Sequence, residues 1–221
     1  MFTLWLGNNY LIKVYDNLLP DYFANDVENL HMSGDFGWFV NQSTIELPNK
    51  DGWKKFGDDG TICWEENGVK QSFLDKRTVN SPQFTHVFYV QERGSVSPYT
   101  SKIENILKFN PTPNCKNLKH LFVDRIKSNL NVNLTEYKED NYQPPHMDSP
   151  LDTFQSLLYY VNDSDGDTYF FDKNLNIVDT VSPKKNRAVV FPSNMIHAGS
   201  NPIKSSLRMV INFIFSEEDI K

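Results

Sequence analysis

From about residue 119 onward the chain is a succession of short apolar or alternating runs, each closed by turn-forming residues. The runs are LFVDRIKSNLNV, QPPHMD, FQSLLYYV, TYFF, LNIVDTV, RAVVF and LRMVINFIF, parted by clusters such as NDSDGD and SPKKN. This texture constrains the fold more than any other feature, because strands of this length with polar turns between them close into sandwiches or barrels. The C-terminal half is therefore expected to be mainly antiparallel β structure.

The first half reads differently. After Pro20 and Asp21, the residues Phe23, Val27 and Leu30 recur at i, i+4 and i+7, a helix-period face that runs to about Gly34. Ser97 and Pro98 make a cap-and-first-turn signal, and Tyr99, Ile103 and Leu107 keep the same spacing as far as Pro111. Two helices packed outside the β core are expected. Residues 34–80 hold Trp38, Trp53 and Trp64 among many Gly, Asp, Asn and Lys with little period, which suggests long loops with short strands and a lid. The tryptophans are read as packing residues.

Composition bounds the class. With 221 residues, 39% hydrophobic and 14% aromatic, one domain can bury roughly 70% of its unfolded surface, and general disorder is excluded. Residues 1–118 are expected to give helical and loop support and residues 119–217 the core of that single domain. The net charge of −6 argues against nucleic acid as a partner. Cys63 and Cys115 cannot staple a fold of this size and stand in no C-x-x-C pair, so a reducing cytoplasm is expected. The opening MFTLWLGNNYLIK lacks basic residues ahead of its short apolar run, and no apolar stretch approaches eighteen residues, so neither a signal peptide nor a membrane span is expected.

Among five histidines, two have informative company. His146 stands in QPPHMD two residues before Asp148, where Pro144 and Pro145 hold the approach extended. In an extended chain i and i+2 project to one face, so both side chains can reach one metal ion. His197, in FPSNMIHAGSNP, can lie beside them once a barrel closes. Two histidines and one carboxylate form the facial triad that holds non-haem iron(II) and leaves positions open. Arg208 begins LRMVINFIF, a strand apolar on both sides, on which Arg208, Val210, Asn212 and Ile214 share one face and Met209, Ile211, Phe213 and Phe215 the other. A guanidinium there needs an anionic partner. His31, His86 and His120 are read as surface or satisfied core histidines, and DSDGDTYFFD as a hairpin turn, since it lacks the glycine and glutamate of a calcium loop. No phosphate-binding loop, serine elbow or cysteine-nucleophile motif is present.

Together, His146-x-Asp148, His197 and Arg208 in a β-rich C-terminal half resemble the 2-oxoglutarate- and iron(II)-dependent dioxygenases of the prolyl 4-hydroxylase-like branch, and in size the small stand-alone members that phages carry. LLYYVND followed by GDTYFF, and RAVVFPSNMIHAGSNP, carry the likeness further, over about residues 119–215. The resemblance implies a double-stranded β-helix (jelly roll) core with flanking N-terminal α-helices. It implies iron(II) on His146, Asp148 and His197, and 2-oxoglutarate clasped at its distal carboxylate by Arg208 and Tyr160. Either Asn129 or Tyr137 would touch the other end of the cosubstrate, and no catalytic residue beyond the metal site is implied. Dioxygen would be the oxidant, with ascorbate an optional addition, and a peptidyl, prolyl-type or small-molecule substrate would be hydroxylated with release of succinate and CO2. Arginine in place of the collagen-type lysine, a single Gly166 for the usual glycine pair, and Val210 for the usual serine weaken a collagen-type prolyl reading. A nucleic-acid demethylase is the alternative enzyme, though its second arginine would fall at Ile214. A cupin-like metal-binding jelly roll is the non-enzymatic alternative, and it has no need of Arg208.

Overall fold

The computed structural model describes residues 12–44, 50–110 and 121–216. Pro111, Cys115 and His120 fall outside the described residues, as does most of the opening segment. In chain order the elements are β1 (Lys13–Tyr15), α1 (Asp21–Met32), β2 (Phe39–Asn41), β3 (Trp53–Lys55), β4 (Ile62–Glu66), β5 (Val69–Leu74), β6 (Gln83–Val90), β7 (Gly94–Ser95) and α2 (Thr100–Glu104). Then follow β8 (Phe122–Val132), β9 (Phe154–Tyr160), β10 (Thr168–Phe171), β11 (Ile177–Val181), β12 (Arg187–Pro192), β13 (His197–Gly199) and β14 (Leu207–Ser216).

The main sheet runs β1-β12-β9-β14-β8-β6-β2, with β7 on β6; a second sheet runs β11-β10-β13, and a third is the meander β3-β4-β5. Every strand pairing within these sheets is antiparallel. The fold is mainly β, the double-stranded β-helix with flanking helices.

The alternation of β14 decides how the layers stack. Met209, Ile211, Phe213 and Phe215 join one apolar cluster with Val27 of α1 and Ile103, Ile106 and Leu107 around α2, all buried. Each large side chain in it contributes about 1.5–3 kcal/mol of transfer free energy. The opposite face, with Arg208, Val210 and Asn212, looks into the barrel. Tyr159 and Tyr160 of β9 divide the same way, the first toward the helices and the second into the barrel.

Three local features refine this picture. The second helix is one α turn that tightens into a 3-10 segment, Asn105–Phe109. Ser97 closes a turn ahead of it, its hydroxyl accepting the Tyr99 N–H at 3.2 Å, and Tyr99 is the N-cap. QFTHVFYV forms β6, an inner strand of the main sheet between β8 and β2, both distant in sequence. Within residues 34–80, read as long loops with short strands and a lid, the strands form the β3-β4-β5 meander, whose last strand bonds to the chain around His146. Strands from both sides of residue 118 share the main sheet.

Candidate active site

Backbone pairing assembles the site. His146 N–H donates to the His197 carbonyl at 3.0 Å and His197 N–H to the His146 carbonyl at 2.9 Å. Asp148 N–H donates to the Ser193 carbonyl, also at 3.0 Å. From the other side, Phe73 N–H reaches the Pro145 carbonyl at 3.3 Å, and Met147 N–H reaches the Gln71 carbonyl at 3.2 Å. The segment carrying His146 and Asp148 is thus held between β5 and β13.

One donor atom from each of His146, Asp148 and His197 lies within 4.8 Å of the others. The His146 Nδ1 sits 2.9 Å from the Pro144 carbonyl and the His197 Nδ1 3.0 Å from the Met195 carbonyl. A carbonyl only accepts, so both protons belong on Nδ1 and both Nε2 lone pairs are left for a ligand. Burial pushes His146 down to about 4, with repulsion from His197 adding, so its imidazole is neutral near pH 7. Burial pushes the Asp148 carboxyl up, but His197, Arg125, His146 and the Ser156 hydroxyl together hold it well below the usual carboxylate range. Ser156 donates to its Oδ2 at 2.7 Å, and Asn212 Nδ2 donates to both oxygens at 2.9 and 3.0 Å. Phe191 packs edge-on against His197.

Arg208 is buried, with Nε donating to the Gly166 carbonyl at 2.6 Å and Nη2 to Thr168 Oγ1 at 2.8 Å. Among the described residues no carboxylate lies within ion-pair distance of it. Space for the guanidinium depends on glycine: a Cβ at Gly199 would stand 3.2–3.3 Å from its atoms, and one at Gly166 would meet the Ser200 carbonyl at 2.6 Å. Thr168 Oγ1 also accepts the Tyr160 hydroxyl at 2.7 Å. With both lone pairs used, the Thr168 proton is free to point into the cavity that Thr168 lines.

The donor set suits non-haem iron(II), and an uncompensated buried guanidinium suits a carboxylate cosubstrate. Four buried polar atoms around the site, Arg125 Nε, Asn129 Oδ1, Tyr137 Oη and Asn212 Oδ1, have no hydrogen-bond partner. Orphans of this kind are costly without a ligand.

The profile of the 2OG-Fe(II) oxygenase superfamily matches residues 132–216, which include the triad and Arg208. The match supports an oxidoreductase with iron(II) and 2-oxoglutarate as metal and cosubstrate. The chain is similar in fold to a 2OG-Fe(II) oxygenase family oxidoreductase from Burkholderia pseudomallei, with a TM-score of 0.62, 10% identity and coverage of 96% of this chain and 86% of that one. A Trichoplax adhaerens prolyl hydroxylase, solved with a hypoxia inducible factor peptide, superposes with a TM-score of 0.51, 13% identity and coverage of 93% and 83%. The alpha-ketoglutarate-dependent epimerase SnoN of nogalamycin biosynthesis gives 0.50, 10% identity and 93% and 76%. These oxygenase-fold proteins include both a hydroxylase and an epimerase, so the fold does not choose the reaction. The sequence matches no curated protein.

Other expected site residues fall as follows. Tyr160 is fully buried and linked to Arg208 through Thr168, whose hydroxyl oxygen accepts from both. Asn129 lines the cavity with the triad, while Tyr137 lies outside that lining but close enough for Arg208 to act on its phenol. Thr168, Asn212 and the polar face of β8, Arg125, Lys127, Asn129 and Asn131, line the same cavity and were missed as a set. The signal was present as the alternation in RIKSNLNV. His31 and His86 are satisfied core histidines. In the Asp163–Asp167 loop, Asp165 accepts the backbone N–H groups of Ile203, Lys204 and Ser205, and Asp163 that of Lys185, which accounts for these acids without a metal. No described helix is long and apolar enough to cross a membrane.

Proposed function

We propose that this protein hydroxylates an unactivated C–H bond of a peptidyl or small-molecule substrate, as a single domain in which both halves serve one site. His146 and His197, through Nε2, and Asp148 would hold the metal. Arg208, with Thr168 donating beside it, would hold the distal carboxylate of 2-oxoglutarate, and Tyr160 would act through Thr168. Asn129 is the better placed of the two candidates for the near end, because it lines the cavity with the triad and Tyr137 does not. Iron with 2-oxoglutarate supplies oxidative decarboxylation to succinate and CO2 coupled to C–H oxidation.

The chain's own contribution is orientation and exclusion. The Pro144 and Met195 carbonyls fix both imidazole tautomers, Asn212 and Ser156 aim Asp148, and Leu158 and Val210 put apolar surface into the cavity wall. The observation that carries the reading is the pairing of a tight His-Asp-His cluster with a buried, uncompensated guanidinium on one cavity. A metal-binding cupin has no use for the second feature. A demethylase is disfavoured by the buried Ile214 and the net charge of −6.

The test is incubation of the purified protein with iron(II), 2-oxoglutarate and air, with succinate measured without a prime substrate. Succinate formation that needs both additions supports the reading. If metal and 2-oxoglutarate do not bind together without oxygen, the reading is wrong.

A further inference from the structure

Beyond the triad, the inward face of β8 carries two cations, Arg125 and Lys127, to which the reading above gives no ligand. Arg125 and Lys127 line a cavity of about 570 Å³ together with Asn41, Gln42, Ser43 and Thr44, and this cavity reaches His146 and Asp148. The one acid among its described lining residues is Asp148, already engaged by Ser156 and Asn212. Lys127 makes no ion pair with any described residue, and Arg125 touches Asp148 only at 3.4 Å while its Nε has no partner. Burial, followed by repulsion from Arg125, pushes Lys127 down to about 8, with Asp148 opposing. Two neighbouring, partly buried cations facing a cavity whose described lining offers no second acid repel one another, and an anion between them relieves that repulsion.

The cosubstrate does not supply that anion. In the pairing of β8 with β14, Arg208 lies opposite Asn131, whereas Lys127 lies opposite Asn212 and Arg125 opposite Ile214. Four and six residues along a strand are about 13 and 20 Å. These are Cα separations; the 570 Å³ cavity is lined by Arg125 and Lys127 but not by Arg208, Thr168 or Gly199, so a diacid clasped by Arg208 leaves it open.

We propose that the prime substrate carries an anionic group, a carboxylate or a phosphate, held by Arg125 and Lys127, which places the rest of the molecule against the His146–Asp148–His197 cluster. The assignment of this molecule as the oxidised substrate rests on the oxygenase reading; the anion site itself does not.

The experiment is calorimetric titration of phenyl phosphate, benzoate and neutral benzamide into the metal-free protein, and into the protein with Mn(II) and 2-oxoglutarate under nitrogen. At least one anion should bind where benzamide does not, and the tighter of the two identifies the group. Lys127→Met should weaken that binding about tenfold or more, leave Mn(II) and 2-oxoglutarate affinity within about twofold, and leave the melting temperature unchanged or raised, because it removes an unpaired buried charge. Arg208→Ala should do the reverse, sparing the anion and weakening 2-oxoglutarate. The proposal is overturned if neither anion binds better than benzamide or if Lys127→Met leaves anion binding intact. It is equally overturned if that variant loses 2-oxoglutarate in parallel or melts several degrees lower. Anion binding that persists while 2-oxoglutarate fails to bind supports the anion site and sinks the oxygenase reading alone.

Discussion

His146 and His197 face each other across an antiparallel pair in which each accepts the other's backbone N–H, at 3.0 and 2.9 Å. Their ring centroids stand 4.9 Å apart, and each ring is turned by a carbonyl two residues before it in the chain. Main-chain bonds, rather than side-chain packing alone, therefore set the spacing of two donors. A site built this way exists before any ligand arrives, which lowers the ordering cost of binding.

The third donor depends on a neighbour. Asn212→Ala removes two of the hydrogen bonds that aim Asp148, leaving the one from Ser156, and should lower metal affinity about 10- to 100-fold. Anaerobic Mn(II) titration reads this, and 2-oxoglutarate affinity measured at saturating metal should change little. An unaltered metal affinity would assign Asn212 to packing.

At the other end, Arg208→Ala should weaken 2-oxoglutarate binding by about 1.5–3 kcal/mol while sparing the metal. Arg208→Lys should recover only part of the loss, since lysine keeps the charge but not the planar fork. Equal loss of metal and cosubstrate would point to a folding role.

Two glycines near that arginine should differ in what else they disturb. A Cβ at Gly199 meets the guanidinium alone, at 3.2–3.3 Å, whereas one at Gly166 meets the Ser200 carbonyl at 2.6 Å and Arg208 Cδ at 2.8 Å. Gly199→Ala should shift Arg208 and weaken 2-oxoglutarate binding with a modest effect on melting. Gly166→Ala should weaken 2-oxoglutarate binding and also destabilise the fold by about 1–3 kcal/mol, measured by urea unfolding.

His31 gives a pH dependence away from the site. Its Nδ1 donates to the Val27 carbonyl and its Nε2 accepts the Ser128 hydroxyl, both at 2.7 Å, an arrangement only the neutral ring satisfies. Burial pushes its pKa down to about 4, with His86 opposing protonation as well, against about 6.5 unfolded. The unfolded chain therefore binds the extra proton between those values. Stability from this residue is complete above about pH 6.5 and falls as pH drops toward 4, by about 3 kcal/mol in all. Unfolding free energies of wild type and His31→Gln over this range should differ by that slope; parallel curves would contradict it.

Deleting residues 50–66 removes β3 and β4 and leaves β5, which flanks His146, without its partner. Melting temperature and metal affinity should both fall. If metal affinity survives intact, the meander acts only as a cover.

What the sequence determined by itself is local and periodic. Alternation in LRMVINFIF told which residues of β14 travel with Arg208 and which with Phe213, and the two faces separate in that way. Residue type and extended spacing singled out His146, Asp148 and His197, whose donor atoms the fold gathers within 4.8 Å. Tertiary structure decided the rest, because periodicity says which side chains share a face but not which face is enclosed. RIKSNLNV reads equally well with its polar side in solvent, and only closure of β8 between β6 and β14 turns Arg125, Lys127, Asn129 and Asn131 inward. Pairing over long sequence separations likewise placed β6 inside the sheet, docked β5 against His146 and set Tyr160 behind Thr168. Such contacts are made between segments that carry no record of each other, so their energy appears only when the whole barrel forms.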